Sequence, residues 1–315
     1  MMIRNFLLHK SINTFFVICI TTGIISFSII AINFQMVHAQ SFTMSVVGDW
    51  GCNSDTTGTV NNIKGKNPAA VLALGDFSYT STAKCWLNTI KPIQKVTRIN
   101  IGNHEDTEKK GLSQYMKAFG LSKQYYSFDI KSVHVLAMAT EISFKKGSSQ
   151  FKFVENDLKK ASGNTKIKWI IVTLHKPLYT SPNSCSSSSC KSSTSLINTY
   201  HHLFDRYGVD LVLQGHLHNY QRTFPVEYNS KNPTSPTVIS KSKSIYNDPK
   251  GEIYVIVGTG GINFHGLKGK PSFVASQHTI RFGALTLTIT NAGKTLDAKF
   301  YGNDRSVRDS FSIKK

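Results

Sequence analysis

The sequence predicts an α/β protein in which parallel strands alternate with helices. Short apolar runs rich in Val, Ile and Leu recur along the chain, and polar, helix-capable stretches separate them. Glycine (22 residues) and proline (9) interrupt any long helix. With 40% hydrophobic and 17% charged residues, the 315-residue chain can bury a full core, which excludes a disordered protein or a small disulfide scaffold.

The amino-terminal segment, residues 1–39, is predicted to be an export signal. Arg4 and Lys10 flank a short polar stretch, an apolar run covers Phe15 to Ile32, and Val37-His38-Ala39 offers a signal-peptidase site. The alternative is an uncleaved anchor, because the apolar run is almost long enough to cross a bilayer. Both interpretations place the remainder of the chain, 40–315, outside the cytoplasm as one predicted domain, secreted or held at the outer face of the membrane.

The chain is strongly basic. Lys and Arg number 37 against 18 Asp and Glu, a formal net charge of +19. Loss of residues 1–39 would remove Arg4 and Lys10 and no acid, which leaves +17. This excess suits an anionic substrate, nucleic acid or a membrane surface, and charge alone does not choose among them.

Four cysteines follow the predicted signal, and an even number in an exported protein indicates two disulfides. They are Cys52, Cys85, Cys185 and Cys190. Pairing Cys185 with Cys190 would close a small Ser-rich loop and leave Cys52 with Cys85, although the spacing does not determine the connectivity.

Seven apolar runs are predicted as buried strands, because they are short and rich in Val, Ile and Leu. In chain order they are Phe42–Val47, Ala69–Leu74, Arg98–Ile101, Ile167–Leu174, Val209–Leu213, Ile253–Val257 and Ala284–Thr290. Helical spacing of apolar positions predicts helices over Gln150–Lys160 and Thr194–Tyr207.

The carboxyl-terminal part is predicted to differ. Leu285 to Asp297 has the pattern of a hairpin with a polar turn, and Arg308–Ile313 is predicted as an added edge strand. Two polar segments, Ser184–Ser195 and Asn229–Lys250, are predicted as surface loops.

Five of the predicted strands end alike, in a Gly or a short turn followed by residues of metal-ligating types. The five blocks are Asp49-Trp50-Gly51, Gly75-Asp76-Phe77-Ser78-Tyr79, Gly102-Asn103-His104-Glu105, His175, and Gly215-His216-Leu217-His218. One such block is more often just a turn. Because the carboxyl ends of parallel strands open on one side of a sheet, five in the same position are expected to converge.

The donor atoms of these blocks define the chemistry. The candidate ligands are Asp49, Asp76, Tyr79, Asn103, His175, His216 and His218. Carboxylate, phenolate, amide and imidazole donors suit iron, manganese or zinc. Seven groups are too many for one catalytic ion with open positions and fit two ions that share a carboxylate, for which Asp76 is the natural bridge.

In this order the five blocks resemble the purple acid phosphatases of the calcineurin-like metallophosphoesterase superfamily. The resemblance implies a four-layer α/β/β/α sandwich of two mixed sheets with helices on the outer faces. Gly51 stands where most of the superfamily has His, and Tyr79 replaces that ligand with an anionic oxygen. The implied metals are Fe(III) and a divalent Fe, Zn or Mn ion. Fe(III) would bind Asp49, Asp76, Tyr79 and His218, and the divalent ion Asp76, Asn103, His175 and His216.

The resemblance also implies an activity, that of an acid phosphatase, which hydrolyses small phosphomonoesters by in-line attack of a metal-held hydroxide. His104 would protonate the leaving oxygen or stabilise the transition state, or else only orient a ligand. No stable nucleic-acid partner is expected, and a membrane only if residues 1–39 are retained. Two alternatives remain: a phosphodiesterase or nuclease on the same site, and a non-catalytic surface protein with a vestigial metal site.

The substrate side of the site is less well determined. Relatives usually carry a further His after the His175 block, and residues 176–185 contain none. The candidates for substrate contact are Lys176, Asn183, Tyr220, Arg222 and His265. Tyr220 and Arg222 could equally brace their loop. His201 and His202 could also reach the site, but a helix surface is the expected position for both.

Overall fold

The chain is described here by a computed structural model that covers residues 41–315 except 107, 109, 110 and 186. The predicted export signal, residues 1–39, lies outside the described residues. Within the described part of the chain, every helix is too short or too polar to cross a membrane.

Short strands make up most of the secondary structure. The strands are β1 (Phe42–Val47), β2 (Ala70–Ala73), β3 (Thr97–Ile99), β4 (Tyr126–Ile130), β5 (Val133–Ala137), β6 (Trp169–Thr173), β7 (Leu211–Gln214), β8 (Tyr220–Thr223), β9 (Val226–Glu227), β10 (Thr237–Val238), β11 (Ile245–Asn247), β12 (Ile253–Val257), β13 (Val274–His278), β14 (Gly283–Thr290), β15 (Thr295–Gly302) and β16 (Val307–Lys314). The α-helices are α1 (Ser54–Lys64), α2 (Lys84–Ile90), α3 (Leu112–Ala118), α4 (Ser149–Ser162) and α5 (Thr194–Tyr207).

Two mixed sheets of seven strands form the frame. The first has the order β11-β16-β15-β14-β1-β2-β3, in which β1, β2 and β3 run parallel. The second has the order β13-β8-β12-β7-β6-β5-β4, in which β5, β6, β7 and β12 run parallel. The remaining pair, β9 and β10, is a separate antiparallel ribbon.

Alternation along the strands shows how the layers pack. Trp169 and Ile171 of β6 belong to the core that the second sheet shares with the first. Ile170 and Val172, on the opposite face, pack with buried side chains of α4 and α5 such as Leu158. Because successive strand residues point to opposite faces, the second sheet lies between the first sheet and these two helices. On the other side, α1 contacts β14 and α2. The predicted arrangement of two mixed sheets with outer helices is confirmed.

The helices begin and end at residues that suit those positions. Asn53 precedes α1 and accepts a hydrogen bond from the backbone N–H of Thr56, and Ser193 does the same for Leu196 at the start of α5. Gly208 ends α5 in the left-handed conformation, with φ of 64°. Helix α5 therefore has the bounds predicted from the apolar spacing.

The carboxyl-terminal hairpin forms as predicted, with β14 and β15 joined through a turn at Asn291–Gly293. The prediction of an edge strand was wrong. β16 has a neighbour on both sides, because β11 pairs parallel with it at the outer edge. β11 and β10 both lie within 229–250, so that segment is not only a loop. Tyr246 anchors it, since its side chain is buried under the sheet edge.

The structure pairs Cys52 with Cys85 and Cys185 with Cys190, each with a Cα–Cα distance of 6.0 Å. The first bond joins the turn after β1 to α2. The second closes the Ser-rich loop, which also pairs with the segment around Leu267 through Asn183.

Candidate metal centre

The predicted ligands stand in turns at the carboxyl ends of β1, β2, β3, β6 and β7. Four of them have left-handed backbone conformations: Asp49 (φ 59°), Asp76 (φ 53°), Tyr79 (φ 57°) and His216 (φ 69°). This conformation costs a non-glycine residue about 1–2 kcal/mol. Strain of this kind persists where the surrounding structure enforces it, and it is concentrated at functional sites.

Three of the donor side chains form a first group. The Tyr79 hydroxyl lies 3.1 Å from Nε2 of His218 and 3.4 Å from Oδ1 of Asp49. Nε2 of His218 lies 3.6 Å from the same Asp49 oxygen. Donor atoms bound to one ion at about 2.0–2.2 Å are separated by similar distances.

The other four donors are His175 and three side chains around it. Its Nε2 lies 3.2 Å from Oδ2 of Asp76, 3.1 Å from Oδ1 of Asn103 and 3.2 Å from Nδ1 of His216. The structure therefore brings all seven predicted ligands to one end of the two sheets, in two adjoining groups.

Hydrogen bonds from behind determine which atoms face the centre. Nδ1 of His175 lies 2.7 Å from the carbonyl oxygen of Leu74, and Nδ1 of His218 lies 2.7 Å from that of Asn263. A carbonyl oxygen only accepts, so each Nδ1 carries the proton and each Nε2 presents a lone pair in the neutral ring. These lone pairs face carboxylate, amide and phenol oxygens, so the donor set fits a cation.

The charge distribution supports the same conclusion. Burial, then the charge of Asp76, raises the pKa of Asp49, with His175 opposing. Burial opposes ionisation of Asp76, but His175 outweighs it and lowers the pKa of Asp76. Conversely, burial lowers the pKa of His175, and the two carboxylates overcome this and raise it to about 10. Without a cation, His175 therefore takes up a proton that compensates the carboxylates.

Two glycines leave room for these carboxylates. A Cβ on Gly102 would collide with the carboxylate and backbone nitrogen of Asp76, and one on Gly258 would collide with the backbone of Leu217 and lie 2.8 Å from Oδ2 of Asp49. Any larger residue at either position would displace a predicted ligand.

Glu105 is a functional residue that sequence reasoning quoted in a motif but assigned no role. Its buried carboxylate accepts hydrogen bonds from the backbone N–H groups of Asp76 (2.9 Å), Phe77 (2.9 Å) and Gly102 (3.0 Å). It therefore holds the turn after β2 against the turn after β3. The sequence offered one sign of this role: Glu105 ends the block that contains Asn103 but is not among the predicted metal ligands.

His104 lies at the edge of the centre. Its Nε2 is 3.7 Å from Oδ2 of Asp76, its Nδ1 is 2.8 Å from Oε2 of Glu108, and its ring packs against Tyr79 at 4.2 Å. Its backbone N–H donates to the other oxygen of Asp76. The imidazole is partly exposed, so it can contact a molecule bound at the centre, although His104 is not one of the predicted metal ligands.

Of the predicted substrate contacts, the structure brings His265 to the centre. Its ring stacks on His218 with centroids 4.0 Å apart, and its Nδ1 accepts a hydrogen bond from the backbone N–H of His218. Lys176 follows His175 directly but pairs with Glu141 at 2.7 Å. The Asn183 amide is buried and donates to the Cys190 carbonyl, so it supports the disulfide loop.

Tyr220 and Arg222 do not reach the centre, which corrects that prediction. Both are buried and bind Asp309: the Tyr220 hydroxyl donates at 2.7 Å, and the Arg222 guanidinium donates through two nitrogens at 2.6 and 3.0 Å. These contacts brace β8 against β16. The side chains do not reach the centre because those of a buried strand point toward the core and not toward the end of the strand.

The expectation of a helix surface was wrong for His201, whose side chain is completely buried under α5. His202, the next residue, lies half-buried beside Tyr228. Trp50 and Phe77, which follow Asp49 and Asp76 in sequence, are completely buried, and both pack against Trp86, with Phe77 stacked on it at 4.2 Å.

Comparison with known proteins agrees with this geometry. The sequence profile of the calcineurin-like phosphoesterase family matches residues 42–220. Human acid phosphatase type 7 is 30% identical over 218 residues, which are 61% of this chain and 48% of that protein. Purple acid phosphatase 22 of Arabidopsis thaliana is 26% identical over 285 residues, 83% of this chain and 60% of that protein. The chain thus spans about half to three fifths of the length of these relatives.

Solved structures share the fold. A purple acid phosphatase from yellow lupin (Lupinus luteus) seeds superposes with a TM-score of 0.75 at 22% identity, over 87% of this chain and 54% of that one. GAP50, the anchor in the inner membrane complex of Plasmodium, superposes with a TM-score of 0.64 at 14% identity, over 87% of this chain and 89% of that one. From the profile match, the relatives and the fold, the chain belongs to the calcineurin-like phosphoesterase family and is a purple acid phosphatase-like member of it.

Proposed function

We propose that the described part of the chain is a metal-dependent acid phosphatase that hydrolyses small phosphomonoesters. The observation that carries the proposal is the convergence of seven side chains with metal-ligating atoms at the strand ends. Two of the relatives are named acid phosphatase and purple acid phosphatase, and their names point to the same reaction.

The donor set fits two ions. Asp49, Tyr79 and His218 would hold Fe(III) together with Asp76. Asn103, His175 and His216, again with Asp76, would hold a divalent Fe, Zn or Mn ion. When bound, the ions lower the pKa of water and neutralise charge on the phosphoryl oxygens.

The residues of the chain supply the remaining functions. His104 stands beside the shared carboxylate, where its imidazole can donate a proton to the leaving oxygen. The Tyr79 ring holds the imidazole in place from one side. The buried rings of Trp50 and Phe77, each next to a ligand carboxylate in sequence, lower the local polarity, which strengthens electrostatic interactions at the centre.

A visible spectrum combined with metal analysis tests the assignment of Fe(III). We expect purified protein to contain iron and to show a tyrosinate-to-iron(III) charge-transfer band that disappears in Tyr79→Phe. Tyr301→Phe, on β15, is the matched control and should keep the band. Iron-free, colourless and fully active protein would overturn Fe(III) and leave the family unchanged.

A phosphodiesterase or nuclease is the second candidate, and the basic charge of the chain favours it, since polyanions bind basic surfaces. Turnover of a nitrophenyl monoester, a nitrophenyl bis-ester and single-stranded DNA separates the two. The monoester should be the best substrate, and faster cleavage of DNA would replace the proposed reaction.

A non-catalytic binding protein is the third candidate, because one protein with this fold is described as an anchor. The complete donor set argues against it. Metal-loaded protein without activity on any phosphate ester would favour it.

We also propose export, with the chain secreted or held at the outer membrane face if residues 1–39 remain. Two disulfides among the described residues support an oxidising compartment.

A further inference from the structure

A second cluster of ligating side chains lies away from the metal centre, under helix α5. His201 and Asp205 stand one turn apart on the same face of that helix, and Glu252 directly precedes β12. His201 and Glu252 are completely buried. The centre lies beyond the other end of β12, near Gly258, so about 20 Å of extended strand separates the two sites.

One nitrogen or oxygen atom of each of the three side chains lies within hydrogen-bond distance of a protein group. The Tyr179 hydroxyl is 2.6 Å from Nδ1 of His201, and the Tyr254 hydroxyl donates to Oε1 of Glu252 at 2.6 Å. The backbone N–H of Tyr228 donates to Oδ2 of Asp205 at 3.0 Å. Metal ligands are commonly oriented from behind by such hydrogen bonds.

The opposite atoms of the three side chains are shielded from water and make no well-aligned hydrogen bond with a described residue: Nε2 of His201, Oδ1 of Asp205 and Oε2 of Glu252. The carboxyl groups of Asp205 and Glu252 are nevertheless close enough to interact with each other. Nε2 lies 2.9 Å from Oε1 of Glu252, but that contact lacks the alignment of an N–H···O bond. Buried polar atoms are rarely left in this state, so three on neighbouring side chains require an explanation.

The spacing of these atoms suits a metal ion. Nε2 of His201 lies 3.6 Å from Oδ1 of Asp205, and one ligand atom of each residue lies within 4.8 Å of the others. Nitrogen and oxygen donors bound tetrahedrally at about 2.0–2.2 Å are separated by about 3.3–3.6 Å. A side-chain exposure of 26% at Asp205 provides a route from solvent.

The charge of the cluster also favours a metal ion. A neutral imidazole with two carboxylates carries a charge of −2, which a divalent cation would cancel. The buried carboxylates thus need a compensating positive charge, and the alternative to a metal ion is a proton that the two carboxyl groups share.

We propose that His201, Asp205 and Glu252 bind a divalent transition-metal ion of the zinc class, separate from the proposed catalytic ions, and that this ion ties α5 to the start of β12. The donor set of one imidazole and two carboxylates selects zinc or manganese over calcium, which prefers oxygen ligands alone.

The test uses the purified chain, stripped with a chelator and reloaded with Zn²⁺ alone. We expect an anomalous difference map at the zinc edge to show a peak among the three side chains. Metal analysis should show one zinc fewer per chain in Glu252→Gln and Asp205→Asn than in the wild type. Zinc affinity at this site should fall on the order of 100-fold or more. His202→Gln, on the same helix, is the matched control and should bind as the wild type.

Two measurements test the proposal even if the Glu252 variant does not fold: zinc binding by Asp205→Asn and the anomalous map of the wild type. Asp205 is partly exposed, so Asp205→Asn should fold even if substitution of Glu252 does not, and the map of the wild type requires no variant. A zinc-loaded wild type without a peak at this cluster would overturn the proposal in favour of the shared proton. The same follows if both variants retain as much zinc as His202→Gln. Activity plays no part in this test, so it stands apart from the proposed phosphatase function.

Discussion

At the scale of single residues, the centre depends on side chains that follow a strand directly. Asp49, Asp76 and His216 have strained backbone conformations, and hydrogen bonds between the turns hold them there. The backbone N–H of His216 donates to Oδ2 of Asp49 at 2.9 Å, so one ligand positions another. Such mutual support orders the donors before any ion binds, which reduces the cost of binding.

His104→Asn tests whether His104 acts on substrate. We expect kcat for a nitrophenyl monoester to fall by roughly 100- to 10,000-fold, since general acid catalysis contributes about that much. Metal content should stay that of the wild type, as it should in the surface control His202→Asn. Loss of metal in His104→Asn with little change in kcat per bound metal would show that the residue only orients ligands.

Glu105→Gln tests the carboxylate that holds two turns together. An amide presents one acceptor and one donor to three N–H groups, so at least one of them loses its acceptor. The free energy of unfolding in urea should fall by about 1–3 kcal/mol. Glu155→Gln, at a partly exposed position of α4, should change it by less than about 0.5 kcal/mol. Equal effects in the two variants would contradict the assigned role.

At the scale of elements, buried charge ties the two sheets together. Tyr220 and Arg222 of β8 belong to one sheet and Asp309 of β16 to the other. Burial alone would raise the pKa of Asp309, but the Arg222 guanidinium outweighs burial and lowers it. The pair therefore stabilises the ionised form of Asp309.

Asp309→Asn should destabilise the protein by about 3–5 kcal/mol at pH 7, because it leaves the buried Arg222 without its counter-charge. The folded-state pKa of Asp309 lies below the unfolded value of about 3.9. The contribution of its charge is thus full above pH 4 and is lost as pH falls through the folded value. Urea denaturation of wild type and variant between pH 7 and pH 3 should show the difference shrinking at acid pH.

Asp304→Asn is the control for that series, because Asp304 pairs with Arg281 and Arg308 in solvent. Its effect should be far smaller than that of Asp309→Asn at every pH. A constant difference between wild type and Asp309→Asn down to pH 3 would contradict the electrostatic explanation.

At the scale of the whole molecule, net charge should govern the encounter with substrate. With +17 after loss of residues 1–39, the field of the protein attracts phosphate esters from a distance. Raising ionic strength from about 20 mM to about 300 mM should lower kcat/KM for a nitrophenyl monoester by roughly threefold to tenfold, because salt screens this attraction. kcat should hardly change. A kcat/KM that is insensitive to salt would show that the charge is spread away from the centre.

Periodicity in the sequence determined the strands that carry ligands and the helix α5, because buried parallel strands are continuous apolar runs and amphipathic helices repeat every 3.6 residues. It did not reveal β4, β5, β8, β9, β10, β11 or β13. β11 consists of Ile245–Asn247 in a polar loop, and it pairs with β16, a strand that is distant from it in the sequence. Strand order is likewise set by contacts far apart in sequence.

The sequence by itself determined which residues meet at the centre, since an α/β sheet places the residues after its parallel strands at one edge. Only the tertiary structure decided the roles of side chains away from the strand ends. Arg222 turned from substrate candidate to brace, His201 from helix surface to buried ligand candidate, and Glu105 from motif residue to support of two turns. Burial and partners decide such roles, and both depend on residues tens of positions apart, which no local pattern records.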